Sequence, residues 1–342
     1  MTTVNRRAAL AVVPAGGGPE EVLTSDLVPR GQGGYGGGAF AWVPDGRALV
    51  VAAAGDLWLV SRRGGPARRL TAHGDEGRVG APAVAPDGTR VAYTRDLRDV
   101  AVVSLADDGA WPVRLSGGAD FAADPAWSGD GARVLWQTWD IPAMPWDESR
   151  VVSRASDGTG PIELVHGAPD SQSLQAQPSP VDAATTALLT DGSGWLNVTV
   201  IGPDGRARPL VSEPAEHGSP TWVQGQRSFA WSPDGRRIAF TRNELGFGRL
   251  CVADVDAGVA AVGATKPPVD VAKGWHESLT WRGGTLAAVR SGGKTPTQLV
   301  TYDTESWQRT VLANGPVAGW AAHLDEPDLV SWAAPDLSLI HI

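Results

Sequence analysis

Residues 40–51 read FAWVPDGRALVV, and the four-residue piece VPDG at 43–46 recurs along the chain. It returns as APDG at 85–88, SGDG at 128–131 and SPDG at 232–235, with a degenerate SPVD at 179–182 and a shortened RGG at 282–284. The aspartates at 45, 87, 130, 182 and 234 are separated by 42, 43, 52 and 52 residues. Proline fixes φ at the first turn position, aspartate bonds back to the backbone, and glycine takes the position with φ > 0. Each piece therefore predicts a tight turn between two short strands. Short strands repeating every 40 to 50 residues are the signature of propeller blades.

Each unit parses into four strands. An apolar strand leads to the turn, a second such as RVAYTRD or RRIAFTR leaves it, a third resembles DLWLVSR or RLCVADV, and a fourth resembles ARRLT. The expected fold is an all-β propeller over residues 1–335, with blades beginning near residues 39, 82, 124, 177, 227, 277 and 317. Trp42, Trp127, Trp231 and Trp281 end the first strands, where a large flat side chain fills the wedge between blades. The segment 8–24, AALAVVPAGGGPEEVLT, aligns with 57–71, LWLVSRRGGPARRLT, at an interval of 47. The chain is thus expected to open in the third strand of a blade and to close with the first strands of the same one, 8–14 and 19–25 pairing with strands near 317–323 and 329–333. That makes seven blades, the last shared between the termini.

Immediately before the first turn stands GQGGYGGG, 31–38, in which Gly31, Gly33 and Gly36 satisfy G-x-G-x-x-G. A dinucleotide loop requires a helix after the glycines to supply N–H donors. Strand punctuation follows instead, and the stretch reads as a glycine-rich approach to a strand. Among the 342 residues are 43 glycines, 26 prolines and 15 tryptophans, a composition of many turns and large aromatic anchors. A net charge of −9 and no Lys/Arg run beyond pairs argue against nucleic acid as a partner. The lone Cys251, in RLCVADV, reads as a core residue and suits a reducing, cytoplasmic compartment. Arg6 and Arg7 precede AALAVVPA, but Pro14 and a glycine triplet break that run, which reads as mature sequence. No stretch approaches 18 apolar residues, so no membrane span is expected.

Chemistry-bearing motifs are sparse. There is no G-x-S-x-G, and Ser193 in DGSGW reads as a turn serine. There is no H-E-x-x-H, the six histidines are scattered, and DVDAG at 254–258 lacks the later ligands of a calcium loop. Neither a metal nor another cofactor is expected. His217 and His276 read as packing histidines. In a four-stranded meander the loops joining second and third strands share one face, opposite the PDG turns. The longest, 138–149, brings Trp139, Trp146, Asp147 and Glu148 together, with Arg150 just beyond, and a loop of that length is a functional candidate. The pair Asp147–Glu148 suits a peptide amine; the other reading is a solvated turn with one ion pair to Arg150.

With these motifs placed, the chain resembles the propeller of prolyl oligopeptidase-type (S9) serine peptidases, of the dipeptidyl-peptidase or acylaminoacyl-peptidase branch. The resemblance rests on FAWVPDGRALVV, DPAWSGDGARVLWQTWDIPAMPWDESRVV, SGWLN, EHGSPTW, FAWSPDGRRIAFTRNELGFGRL and DLVSWAAPD at 328–336. It implies a Ser-Asp-His triad in an α/β-hydrolase domain that would follow the propeller and has no counterpart in these residues. The chain alone is then expected to be inactive, its role to gate and select peptide substrates, with Trp146, Asp147, Glu148 and Arg150 as substrate-binding candidates. Peptides and its own hydrolase domain are the implied partners. The competing expectation is a free-standing TolB- or WD40-like propeller that binds proteins as a scaffold. DLSLIHI at 336–342 departs from the family's exit segment and is expected to be foreign to the native sequence.

Overall fold

The computed structural model describes the chain except residues 1, 5–6, 15–17, 25, 32–36, 75–76, 107–108, 256–266, 318 and 331–342. Among the described residues are six four-stranded antiparallel sheets, each a meander of consecutive strands. The blades open with Phe40–Trp42, Val79–Val84, Phe121–Trp127, Ser173–Pro178, Phe229–Trp231 and Trp275–Arg282. The fold is an all-β propeller. Apolar side chains fill the spaces between neighbouring sheets, as where Phe229, Ile238 and Phe240 of blade five meet Leu189, Val198 and Val200 of blade four.

The PDG turns form as their chemistry requires. Asp45, Asp87, Asp130 and Asp234 each accept the N–H two residues on, at 2.9, 2.9, 3.0 and 3.1 Å. The glycines that follow have φ near +70°. Trp127, Trp231 and Trp281 are buried in the wedges, and the indoles of Trp127 and Trp231 donate to Ala83 O and Gln177 O of the preceding blade. Trp42 departs from this, being 43% exposed. It ends the first strand of blade one, and no complete blade precedes it.

Among the described residues six blades, not seven, are complete. The described residues of 8–24 do build the outer half of a further one. Leu10 N–H donates to Thr24 Oγ1 at 2.7 Å and Leu23 N–H to Leu10 O at 2.8 Å, repeating Leu57 to Thr71 Oγ1 and Leu70 to Leu57 O. Ala11–Val12 pairs with Glu21–Val22, and Leu10 and Leu23 pack on Leu49, Val51 and Val60 of blade one. The expected inner strands are missing where they are described: between Val317 and Val330 there is only a 3-10 turn, Ala321–His323. Pro316 and Pro327 each remove a ladder donor there. Residues 331–333 of the expected closing strand, and the anomalous tail at 336–342, lie outside the described residues.

The half-blade supports a first prediction. Thr24 is buried, and Thr24→Val leaves Leu10 N–H without its acceptor. A loss of about 1–3 kcal/mol in urea unfolding is expected. An unchanged midpoint would mean that residues 8–24 lie outside the cooperative unit.

Candidate functional site

The loops between second and third strands lie at residues 96–98, 140–149, 191–196, 245–246 and 293–294 in blades two to six, and the connection entering each blade arrives on the same face. The C-terminal segment lies there as well. Lys294 Nζ is 3.1 Å from Asp325 Oδ1, and Gly293 is pressed against Asp325 and Pro327. Ile141, Met144, Trp195, Trp222, Leu245 and Trp275 stand exposed on this face.

The connection from blade four to blade five, Leu210 to Ser228, crosses this face and touches blade three, blade two and the approach to blade one. Thr221 Oγ1 donates to Gln137 Oε1 of blade three at 3.1 Å, and Thr94 Oγ1 of blade two donates to Gln224 Oε1 at 2.6 Å. Gln224 also forms a parallel bridge with Gly37, ahead of blade one. A side chain at Gly37 would run into the Gln224 backbone, which is why glycine stands there. Asp124 accepts from Gly225 N–H at 3.2 Å and from Arg227 Nη1 at 2.8 Å.

A bulge recurring in the inner strands makes this possible. Ala81, Asp124, Gln175 and Ser278 have φ between +47° and +54°, each at a register shift against the second strand. Such a bulge re-aims the side chain out of the sheet. Asp124 and Gln175 thereby reach the crossing segment, Gln175 Oε1 accepting from Ser228 N–H at 2.7 Å. Inside the ring, a cavity of about 530 Å³ runs along the first strands and is bounded by Gly225 and Arg227.

Beside the crossing segment lies a second cavity, of about 400 Å³. Its walls are two aromatic pairs. Phe121 stacks on Trp139 with centroids 5.1 Å apart and planes at 12°, and Trp146 lies 4.5 Å from Trp222. Of the site residues expected from sequence, Trp146 is in this wall. Asp147 and Glu148 serve their own loops: Asp147 Oδ2 accepts from Met144 N–H at 3.0 Å, and Glu148 Oε2 from Asp170 N–H at 3.4 Å. Arg150 is paired with Asp140, not with Asp147 or Glu148, because it begins the third strand beside the end of the second. The loop thus brings Trp146 to the cavity and turns the charged residues elsewhere.

Ser193 is an exposed turn residue whose hydroxyl donates to Trp195 O at 3.1 Å. His217 and His276 are core residues. His217 holds Glu213 Oε1 at 2.7 Å and accepts from Val198 N–H; His276 lies between Gly274 O and Tyr302 Oη, both at 2.8 Å. Burial, the largest cause in each, keeps both imidazoles below the ordinary histidine range. Cys251 is buried, as read from sequence, and burial pushes its thiol well up. Among the described residues no cluster of three or more His, Cys, Asp or Glu could hold a metal ion. Sequence reasoning missed Phe121, Asp124, Trp222 and Arg227. The length of the connection before blade five was the available signal.

No protein-family model and no curated protein matches the chain. Among solved structures, puromycin hydrolase superposes with a TM-score of 0.81 at 26% identity, over 97% of this chain and 54% of its own. A puromycin-hydrolysing peptidase of Mycobacterium tuberculosis gives 0.70 at 24%, over 82% and 46%. As fold alone, the ring is shared with oligogalacturonate lyase of Vibrio parahaemolyticus, TM-score 0.65 at 13% over 92% and 85%. TolB of Agrobacterium tumefaciens gives 0.52 at 17% over 73% and 84%. The chain spans about half the length of the two peptidases. The chain is thus a β-propeller whose structural neighbours are puromycin hydrolase and the propeller domains of prolyl oligopeptidase-type (S9) peptidases.

Proposed function

We propose that this chain is the substrate-gating propeller portion of an S9-type serine peptidase of the dipeptidyl- or acylaminoacyl-peptidase branch, acting in the cytoplasm. Peptide hydrolysis then belongs to an α/β-hydrolase domain following residue 335, and peptides are the substrates. The similarity to puromycin hydrolase over 97% of this chain and 54% of that one carries the reading. The arrangement of the face supports it: the chain leaves the ring beside the blade-six loop, on the side that bears the aromatic cavity. A domain continuing from there would cover that cavity, and the crossing segment would lie between the ring's interior and the reacting centre.

The isolated chain is expected to hydrolyse no aminoacyl or dipeptidyl chromogenic substrate, since its one G-S-G turn serine has no base and orienting carboxylate built around it. Turnover abolished by Ser193→Ala would overturn this. In a two-domain protein, Asp147→Asn with Glu148→Gln is expected to raise KM about tenfold for peptides with a free amino terminus and to leave blocked peptides unchanged. Equal effects on both would remove the pair from the substrate site. The alternative, a free-standing scaffold, is favoured by one observation: TolB and the lyase are covered over 84% and 85% of their lengths by this ring. The coding sequence beyond codon 335 decides between them. A hydrolase domain with G-x-S-x-G supports the peptidase, and a stop codon in the genomic sequence supports the scaffold.

A further inference from the structure

The cavity beside the crossing segment is built for a kind of group that the Asp147–Glu148 pair would not select. Its walls are Phe121 on Trp139, Trp146 against Trp222, and the side chains of Met144 and Leu97. No Asp, Glu, Lys, Arg or His lines it. The polar side chains at its edge are already engaged, Thr221 with Gln137 and Gln224 with Thr94. A carboxylate entering this space would lose water without gaining a counter-ion, and an ammonium would have only the ring faces to offset its lost water, so an uncharged group is favoured. Asp147 stands next to Trp146 in sequence, but its carboxylate is turned onto Met144 N–H.

Size and shape narrow the occupant further. At about 400 Å³ the space falls in the range of small-molecule sites, roughly 300–1,000 Å³. Paired aromatic walls favour a flat ring, which can stack on one face and meet the edge of another, and a thioether such as that of Met144 packs well against a ring. Trp222 and Met144 are 51% and 45% exposed at the mouth, so the site opens to the face and is not sealed in the core.

We infer that this cavity is a subsite for an uncharged aromatic side chain of a peptide, held between the Trp146–Trp222 and Phe121–Trp139 pairs. The inference names the substrate class of the proposed peptidase and rests on that reading for its biological meaning. Because Trp222 belongs to the crossing segment, an occupant of the cavity also holds that segment in place across the ring.

The test uses this chain labelled with nitrogen-15, following its indole N–H resonances during titration with N-acetyl-L-phenylalaninamide and, separately, N-acetyl-L-lysinamide. Saturable shifts confined to the indoles of Trp139, Trp146 and Trp222 are expected with the first probe, and at least tenfold weaker binding with the second. Met144→Glu, which places a carboxylate at the exposed mouth, is expected to weaken the phenylalanine probe at least tenfold while leaving the circular dichroism spectrum unchanged. Should that variant fail to fold, Trp222→Ala, also at an exposed position, is expected to give the same loss. Equal binding of both probes, absence of shifts at these indoles, or unaltered affinity in a folded variant would overturn the subsite. The two readings separate cleanly: binding here without peptidase activity in a two-domain protein removes the proposed function and keeps the subsite, and activity without binding does the reverse.

Discussion

Asp124→Ala is expected to destabilise the ring by about 3 kcal/mol and to release the segment that crosses it. The carboxylate is buried, with 7% of the side chain exposed, and its partner Arg227 is 29% exposed. Removing one member of a buried pair leaves the other charge uncompensated, at a cost of about 3–5 kcal/mol. The partial exposure of Arg227 places the expectation at the lower end. Gly225 N–H loses its acceptor as well. Alanine is also poorly suited to φ near +51°, a conformation asparagine tolerates. Asp124→Asn is therefore expected to keep the backbone and the Gly225 bond while losing the ion pair, with about half the effect. Urea unfolding measures the total. Hydrogen exchange at Gln224 to Ser228 isolates the segment, and protection there should fall more than at the blade-three strands. A loss below 1 kcal/mol with unchanged exchange would show that the segment is held by its other contacts.

The same residue marks where sequence reading stops. The turns were legible because Pro, Asp and Gly act within four residues, and Asp45, Asp87, Asp130 and Asp234 bond as local chemistry requires. The outer half-blade was legible because residues 8–24 repeat 57–71 closely enough to reproduce the Thr24 and Thr71 bonds to the facing strand. Asp124 reads locally as part of an inner strand, and nothing near it names Arg227, a partner 103 residues away. Nor could the glycines before blade one be assigned a purpose from sequence. Gly37 is required by the approach of Gln224, a contact made only once the ring has brought blades one and five together.

The aromatic cavity was half legible for the same reason. The long loop announced Trp146, whereas Phe121, Leu97 and Trp222 come from three other places in the chain. The charged residues of that loop drew attention because charge is conspicuous in sequence, yet the structure engages them locally with Met144, Asp170 and Asp140. The expected seventh blade failed differently. Its outer strands are present and pack on blade one, but the described residues between 317 and 330 do not form the inner pair, and Trp42 stands exposed.

Stability is expected to fall steadily as pH drops from 6.5 toward 4, with His276 as one clear contributor. Its imidazole is 2% exposed, and burial, reinforced by Arg290 and Arg309, holds its pKa down to about 4 against an ordinary 6.5. The neutral ring suits its surroundings, donating from Nδ1 to Gly274 O and accepting at Nε2 from Tyr302. A group whose folded pKa is depressed binds fewer protons folded than unfolded, so stability rises with pH through the interval between the two values. The contribution is complete above about 6.5 and gone below about 4, and amounts to about 3 kcal/mol. His217 acts in the same direction, since burial outweighs the raising influence of Glu213. The turn aspartates add their effect only at lower pH. Asp87, Asp130 and Asp234 are held below the ordinary 3.8 by hydroxyl and backbone donors, and that stability is lost as pH falls beneath it. Urea unfolding at pH 7, 6, 5 and 4.5 therefore isolates the histidines. His276→Gln, which can donate to Gly274 O and accept from Tyr302 without titrating, is expected to flatten the slope over this range, the buried His217 retaining its own share. A wild-type protein equally stable at pH 7 and 4.5 would sink the assignment, and so would a His276→Gln variant with an undiminished slope, because the protons would then be binding elsewhere.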